Sequence, residues 1–96
     1  MRRCFLVCYD IRDPKRLRQV HRICKGYGEA WQYSVFLCVI KPLDRVRLQS
    51  ELEEVMNLNQ DQVLILDLGT DEHGLRKQTT ALGLPLGDVR EGMVLL

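Results

Sequence analysis

Ninety-six residues, 46% of them hydrophobic and 28% charged, describe one small globular domain of ordinary composition. No apolar run approaches the ~18 residues needed to cross a membrane. The basic start Met1-Arg2-Arg3 leads into an apolar run that stops at Asp10 with no small-residue cleavage site, so a cytoplasmic location is expected.

The net charge of +1 conceals two unlike halves: residues 1–47 hold eleven Lys/Arg against four Asp/Glu, and residues 48–96 hold three against nine. The first half is suited to an anionic partner.

In chain order, residues 3–9 read as a strand that ends on a carboxylate, Asp10. Asp13 is a good helix N-cap and Pro14 is favoured at the first helical position, so a helix runs from Pro14 to about Lys25. Leu17, Val20 and Cys24 recur there at helical spacing, and Gly26 and Gly28 end it. The aromatic and β-branched stretch 29–40 reads as two short strands with a bend near Tyr33-Ser34. A second helix opens at Pro42 and Asp44, with Leu48, Leu52, Val55 and Met56 as its core stripe, and Asn57–Gln62 ends it. A strand follows at 63–69. Residues 70–90 are mixed and turn-rich, and 92–96 reads as a last strand. The four cysteines form no C-x-x-C pair and read as small buried hydrophobes.

The order β-α-β-β-α-β with one strand added predicts an α+β ferredoxin-like sandwich. Its core covers about 3–69, with a C-terminal extension over 70–96. That fold leaves one sheet face without helices, and such a face should alternate apolar and polar residues. The first strand does not alternate: Cys4, Leu6 and Cys8 point one way, Phe5, Val7 and Tyr9 the other. The open face therefore needs a cover. A second copy related by a two-fold axis is the simplest one, with 92–96 free to pair with an edge of the partner.

Asp10 shares the face of Cys4, Leu6 and Cys8. It is either a turn residue that caps the first helix or a carboxylate at the rim of a dimer, where two copies would meet and need a bridging cation. Mg²⁺ suits such a site. A metal between carboxylates and flanked by arginines is equipment for cutting a phosphodiester. Asp13 reads as a helix start, Asp67 as structural, and His21 and His73 as structural.

The basic residues cluster on the first helix: Arg12, Lys15, Arg16, Arg18, Arg22 and Lys25, with no acid between 14 and 28 to offset them. Lys15, Arg18, Arg22 and Lys25 form one row able to track a phosphate backbone.

"YDIRDPKRLRQVHRICKGYG" followed by "WQYSVF" resembles the CRISPR-associated protein 2 family, the small subunit of the CRISPR spacer-acquisition machinery. The shared pattern is an apolar strand ending in Tyr9-Asp10, a basic helix ending at a glycine, then Gln32, Ser34, Val35 and Phe36. Where the family has an arginine before Ser-Val-Phe, this chain has Tyr33. The resemblance implies a ferredoxin-like homodimer in which Asp10 of both subunits binds Mg²⁺ or Mn²⁺, with Tyr9 beside it in the catalytic motif. It implies a nuclease on RNA or double-stranded DNA, and a bridge between copies of the CRISPR integrase along a DNA duplex. Two alternatives remain open at this point: a toxin-like ribonuclease of the virulence-associated protein D type, and a non-catalytic nucleic-acid-binding scaffold. A plain RNA-binding module would need an aromatic signature that the strands lack.

Overall fold

The computed structural model describes residues 1–86. The expected strand at 92–96 lies outside them. Among the described residues the order is β1 (Arg3–Asp10), α1 (Pro14–Tyr27), β2 (Glu29–Gln32), β3 (Val35–Ile40), α2 (Pro42–Val55), β4 (Gln62–Asp67) and α3 (Glu72–Gln78). The strands form one antiparallel sheet ordered β2-β3-β1-β4, the ferredoxin-like arrangement expected. No helix here is long and apolar enough to cross a membrane.

Local chemistry sets the boundaries. The Asp13 carboxylate accepts a hydrogen bond from the Arg16 backbone N–H at 3.0 Å, and Pro14 opens α1 at no cost because its missing N–H has no helical partner. At the other end of α1, a Cβ on Gly28 would stand 2.3 Å from the Leu37 carbonyl oxygen and 2.9 Å from Cys38 Cα. Both obstacles include backbone, so only glycine lets the chain pass this close to β3.

Parity divides β1. Phe5, Val7 and Tyr9 face the helices and join Val20, Cys24, Phe36, Cys38, Leu48 and Leu52 in the core. Leu6, Cys8 and Asp10 face the other way, as do Leu64 and Leu66 of β4, which remain 49% and 43% exposed.

The open face carries a cover of its own, where the strand pattern alone calls for a second copy. Cys4 and Leu37 lie on it, yet each is only 1% exposed. The chain's own α3 lies there: Arg76 pairs with Glu29 of β2 and with Glu72 of its own helix, and its guanidinium carbon stands 6.0 Å from the Trp31 ring centroid. Residues Thr79–Leu86 then border a groove floored by Leu6, Cys8, Trp31 and Val35. The exposed leucines of β4 are left outside this cover.

Candidate functional site

Asp10 ends β1 opposite Gln62 of β4. Its side chain is 68% exposed, and its nearest cation is Arg12, whose Nη2 stands 3.9 Å from Oδ2. That distance leaves the carboxylate free to take a ligand while the guanidinium can hold an anion beside it. Asp67 sits five residues further along β4 at the other end of the sheet, paired with Arg3 at 2.9 Å, as its structural reading expects.

Tyr9 departs from its expected place beside Asp10. Adjacent residues of a strand point to opposite faces, so Tyr9 enters the core, 5% exposed. Its hydroxyl lies 3.1 Å from His21 Nδ1 and donates to the Tyr33 carbonyl at 3.4 Å. Its ring stacks on Phe36 at 6.3 Å, and His21 meets the same ring edge-on at 5.3 Å. Burial pushes the Tyr9 phenol well above its ordinary value. The hydroxyl is therefore a core hydrogen-bonding group, not an acid or base at neutral pH. The Gln32-x-Ser34-x-Phe36 stretch forms the β2–β3 turn. Ser34 accepts the Tyr9 backbone N–H at 3.0 Å, and Phe36 floors the Tyr9–His21 cluster.

Of the basic residues expected to bind nucleic acid, Arg12, Lys15, Arg18, Arg22 and Lys25 are exposed. Arg16 is the exception. One position on a helix is about 100° of rotation, which turns Arg16 away from the Lys15–Arg18–Arg22 face and toward the start of β4. There Nε and Nη2 donate to the two oxygens of Asp61 at 2.8 and 3.1 Å, and Nη2 reaches Gln60 at 3.2 Å. The Arg16 side chain is 22% exposed and that of Asp61 is wholly buried. Asp61 also accepts the Arg12 backbone N–H at 2.9 Å and the Asn57 backbone N–H at 2.8 Å. The Arg16 guanidinium, aided by these amides, holds its carboxyl well below the usual carboxylate range.

Nothing in the sequence motifs singles out Asp61. The available signal was an aspartate closing the Asn57–Gln60 turn just before an apolar strand, a position that suits side-chain-to-backbone bonds.

Among the described residues no group of three or more His, Cys, Asp or Glu could hold a metal ion. Asp10 is the exposed carboxylate at the strand end, and one chain contributes it alone. All four cysteines are free, and burial raises the thiols of Cys24 and Cys38 to about 12 and about 11. Cys24 and Cys38 are inert core groups, as expected; Cys4 is buried on the open face, and Cys8 there is only half-buried.

Known proteins are similar to this chain. A protein-family model described as CRISPR associated protein Cas2 matches residues 2–74. A CRISPR-associated endoribonuclease Cas2 of Rhodospirillum rubrum is 47% identical over 68 residues, covering 71% of this chain and 67% of that protein. The corresponding endoribonuclease of Geobacter sulfurreducens is 32% identical over 83 residues, covering 86% of each. Among solved structures, Cas2 of Streptococcus pyogenes superposes with a TM-score of 0.74 at 29% identity, covering 83% of this chain and 99% of that one. A hypothetical protein from Thermus thermophilus gives 0.76 at 29% identity, over 92% and 100%. The matched span runs from the first strand through the Asp10 turn, the basic helix and the Asp61 clamp into α3, and on that span the chain belongs to the CRISPR-associated protein 2 family.

Proposed function

We propose that this protein is a CRISPR-associated, metal-dependent endonuclease that works as a homodimer on duplex nucleic acid. The observation that carries the reading is Asp10: an exposed carboxylate at the end of an otherwise apolar strand, on the open sheet face, with Arg12 Nη2 3.9 Å away. The relatives named as endoribonucleases and an endonuclease support the same reaction class.

One carboxylate per chain makes an incomplete metal site. Exposed Leu64 and Leu66 on the same face give a second copy a reason to cover it. A two-fold axis near the strand ends would then bring two Asp10 side chains to one site. Mg²⁺ or Mn²⁺ fits such a pair, because these ions need few protein oxygens and keep several waters. When bound, the ion supplies an activated water and offsets charge on the phosphoryl oxygens. The remaining work belongs to the chain. Asp10 holds the ion, Arg12 holds a phosphate oxygen beside it, and Lys15, Arg18, Arg22 and Lys25 grip the backbone of RNA or double-stranded DNA through its charge. In spacer acquisition the same dimer would carry a DNA duplex between copies of the CRISPR integrase, the partner that the family implies.

The test is cleavage of RNA and duplex DNA with and without Mg²⁺. Wild type should cut only with the metal, and Asp10→Asn, which keeps the shape and removes the charge, should not cut. Equal cleavage by both defeats the reading. A wild type that binds duplex without cutting it leaves the scaffold role alone.

A further inference from the structure

We propose that Asp61 is a positioning residue for Asp10, fixing the turn that carries Asp10 and Arg12 so that the carboxylate can take a metal ion. The inference rests on the reading of Asp10 given above.

The Asp10 carboxylate has no hydrogen-bond donor of its own among the described residues; its direction is set by the backbone on either side. On the strand side, Asp10 pairs with Gln62 and the preceding Tyr9 amide is bonded to Ser34 at 3.0 Å. On the turn side, the Arg12 amide is bonded to Asp61 Oδ1 at 2.9 Å. Asp61 is covalently next to Gln62. A closed ring results: Asp10 to Gln62 across the ladder, Gln62 to Asp61 along the chain, Asp61 to Arg12 by hydrogen bond, and Arg12 back to Asp10 through Ile11.

The other capacity of the Asp61 carboxylate is filled. Oδ2 accepts Arg16 Nε at 2.8 Å and the Asn57 amide at 2.8 Å, and Oδ1 also accepts Arg16 Nη2 at 3.1 Å. A wholly buried side chain with four N–H groups directed at it has one orientation. It transmits that orientation to Arg12, and so to both groups of the proposed site. Losing an outer residue that orients a metal ligand typically weakens metal affinity about 10–100-fold; here the orientation would pass to Asp10 through the Arg12 backbone.

The test compares wild type with Asp61→Ala. Alanine removes both carboxylate oxygens, so the Arg12 amide loses its acceptor, whereas asparagine could keep an oxygen toward Arg12 and turn its amide nitrogen to Arg16 and Asn57. Two readouts separate positioning from simple loss of stability, both taken well below the unfolding temperature. Amide hydrogen exchange at Arg12 should quicken at least tenfold in Asp61→Ala. Mn²⁺ affinity by titration should fall about tenfold or more. Arg16→Lys, which keeps a cation and leaves the Arg12–Asp61 bond in place, should retain Arg12 protection and Mn²⁺ affinity within threefold.

Unchanged exchange at Arg12, or quickened exchange with unchanged Mn²⁺ affinity, overturns the inference. So does an equal loss of affinity in Arg16→Lys, which would tie the effect to stability. Wild type also reports without any substitution. Coupling is reciprocal, so saturating Mg²⁺ should slow exchange of the Asn57 amide, which touches Asp61 on the side away from Arg12. An unaffected Asn57 amide counts against the inference even if Asp61→Ala does not fold. A wild type that binds no Mn²⁺ overturns the reading of Asp10 itself, and that control tells the two failures apart.

Discussion

Arg16 and Asp61 are 45 residues apart in sequence and 2.8 Å apart in space. This pair joins the first turn of α1 to the start of β4, and it withdraws from the exposed basic surface an arginine that the sequence groups with the basic cluster of the first helix.

The pair gives the fold an acid-sensitive element. The folded-state pKa of Asp61 is depressed, first by its bond to Arg16. Its stabilisation is therefore fully present above the unfolded value of ~4 and is lost as pH falls from there through the lower folded value. Denaturant unfolding at pH 7 and pH 3 should show wild type losing more stability than Asp61→Asn between the two. At pH 7 the substitution should cost about 2–4 kcal/mol, the range for removing one partner of a buried, hydrogen-bonded ion pair. Parallel pH dependence in the two proteins would show that the clamp is not what acid breaks.

Tyr9→Phe separates core from chemistry. The hydroxyl bonds His21 and the Tyr33 carbonyl inside the fold, with the ring on Phe36. Removing the oxygen should cost about 1 kcal/mol in stability. Metal-dependent cleavage, assayed on folded protein, should stay within about threefold, since a change of ~0.7 kcal/mol in the barrier is already that large. A hundredfold loss with the fold intact would place the hydroxyl in the reaction.

Much of the fold is legible in the sequence where one short-range signal decides. Asp13-Pro14 fixes the start of α1, and the bend near Tyr33-Ser34 separates β2 from β3 even though no Gly or Pro marks it. The end of α1 runs to Tyr27, past the expected Lys25, because Gly26 is tolerated inside the last turn and Gly28 does the capping.

The third helix escaped because α3 has seven residues, an internal Gly74 and no buried residue, so it carries no apolar stripe. What holds it is its N-cap, Asp71, which accepts the Gly74 amide at 2.9 Å, and the Arg76 ion pairs with Glu29 and Glu72. The latter contacts are tertiary. The site divides along the same line. Asp10 stands out because an apolar strand stops on it. Asp61 and the inward turn of Arg16 depend on a long-range contact that no spacing announces.

Pairing of two copies through the open face is tested by charge. Leu64→Glu with Leu66→Glu places two carboxylates per chain on strand positions already half exposed in the single chain, so the monomer fold should survive. Light scattering at micromolar concentration should give about twice the chain mass for wild type and one chain mass for the double variant, with metal-dependent cleavage lost in step. A double variant that still runs as a dimer would move the interface to another surface.

The basic row is tested by salt. With Tyr9 in the core and no base-reading motif on the strands, nucleic-acid binding should come from phosphate contacts and be nearly independent of sequence. Log affinity for duplex should then fall linearly with log salt, by ~0.9 for each phosphate neutralised. Arg18 and Arg22 are both exposed on the same face of α1. Replacing both with alanine removes up to four contacts per dimer, so the slope should flatten by up to about 3–4. Alanine is a strong helix former, so α1 should persist, which circular dichroism can check. Arg16→Ala is the internal comparison. Its guanidinium is committed to Asp61, so it should lower stability while changing the salt slope by less than about one contact's worth, ~0.9. Should Arg18→Ala with Arg22→Ala leave the slope unchanged, α1 would be only a solvated face, and the duplex path would lie elsewhere, with Lys41, Arg45 and Arg47 as the next residues to replace.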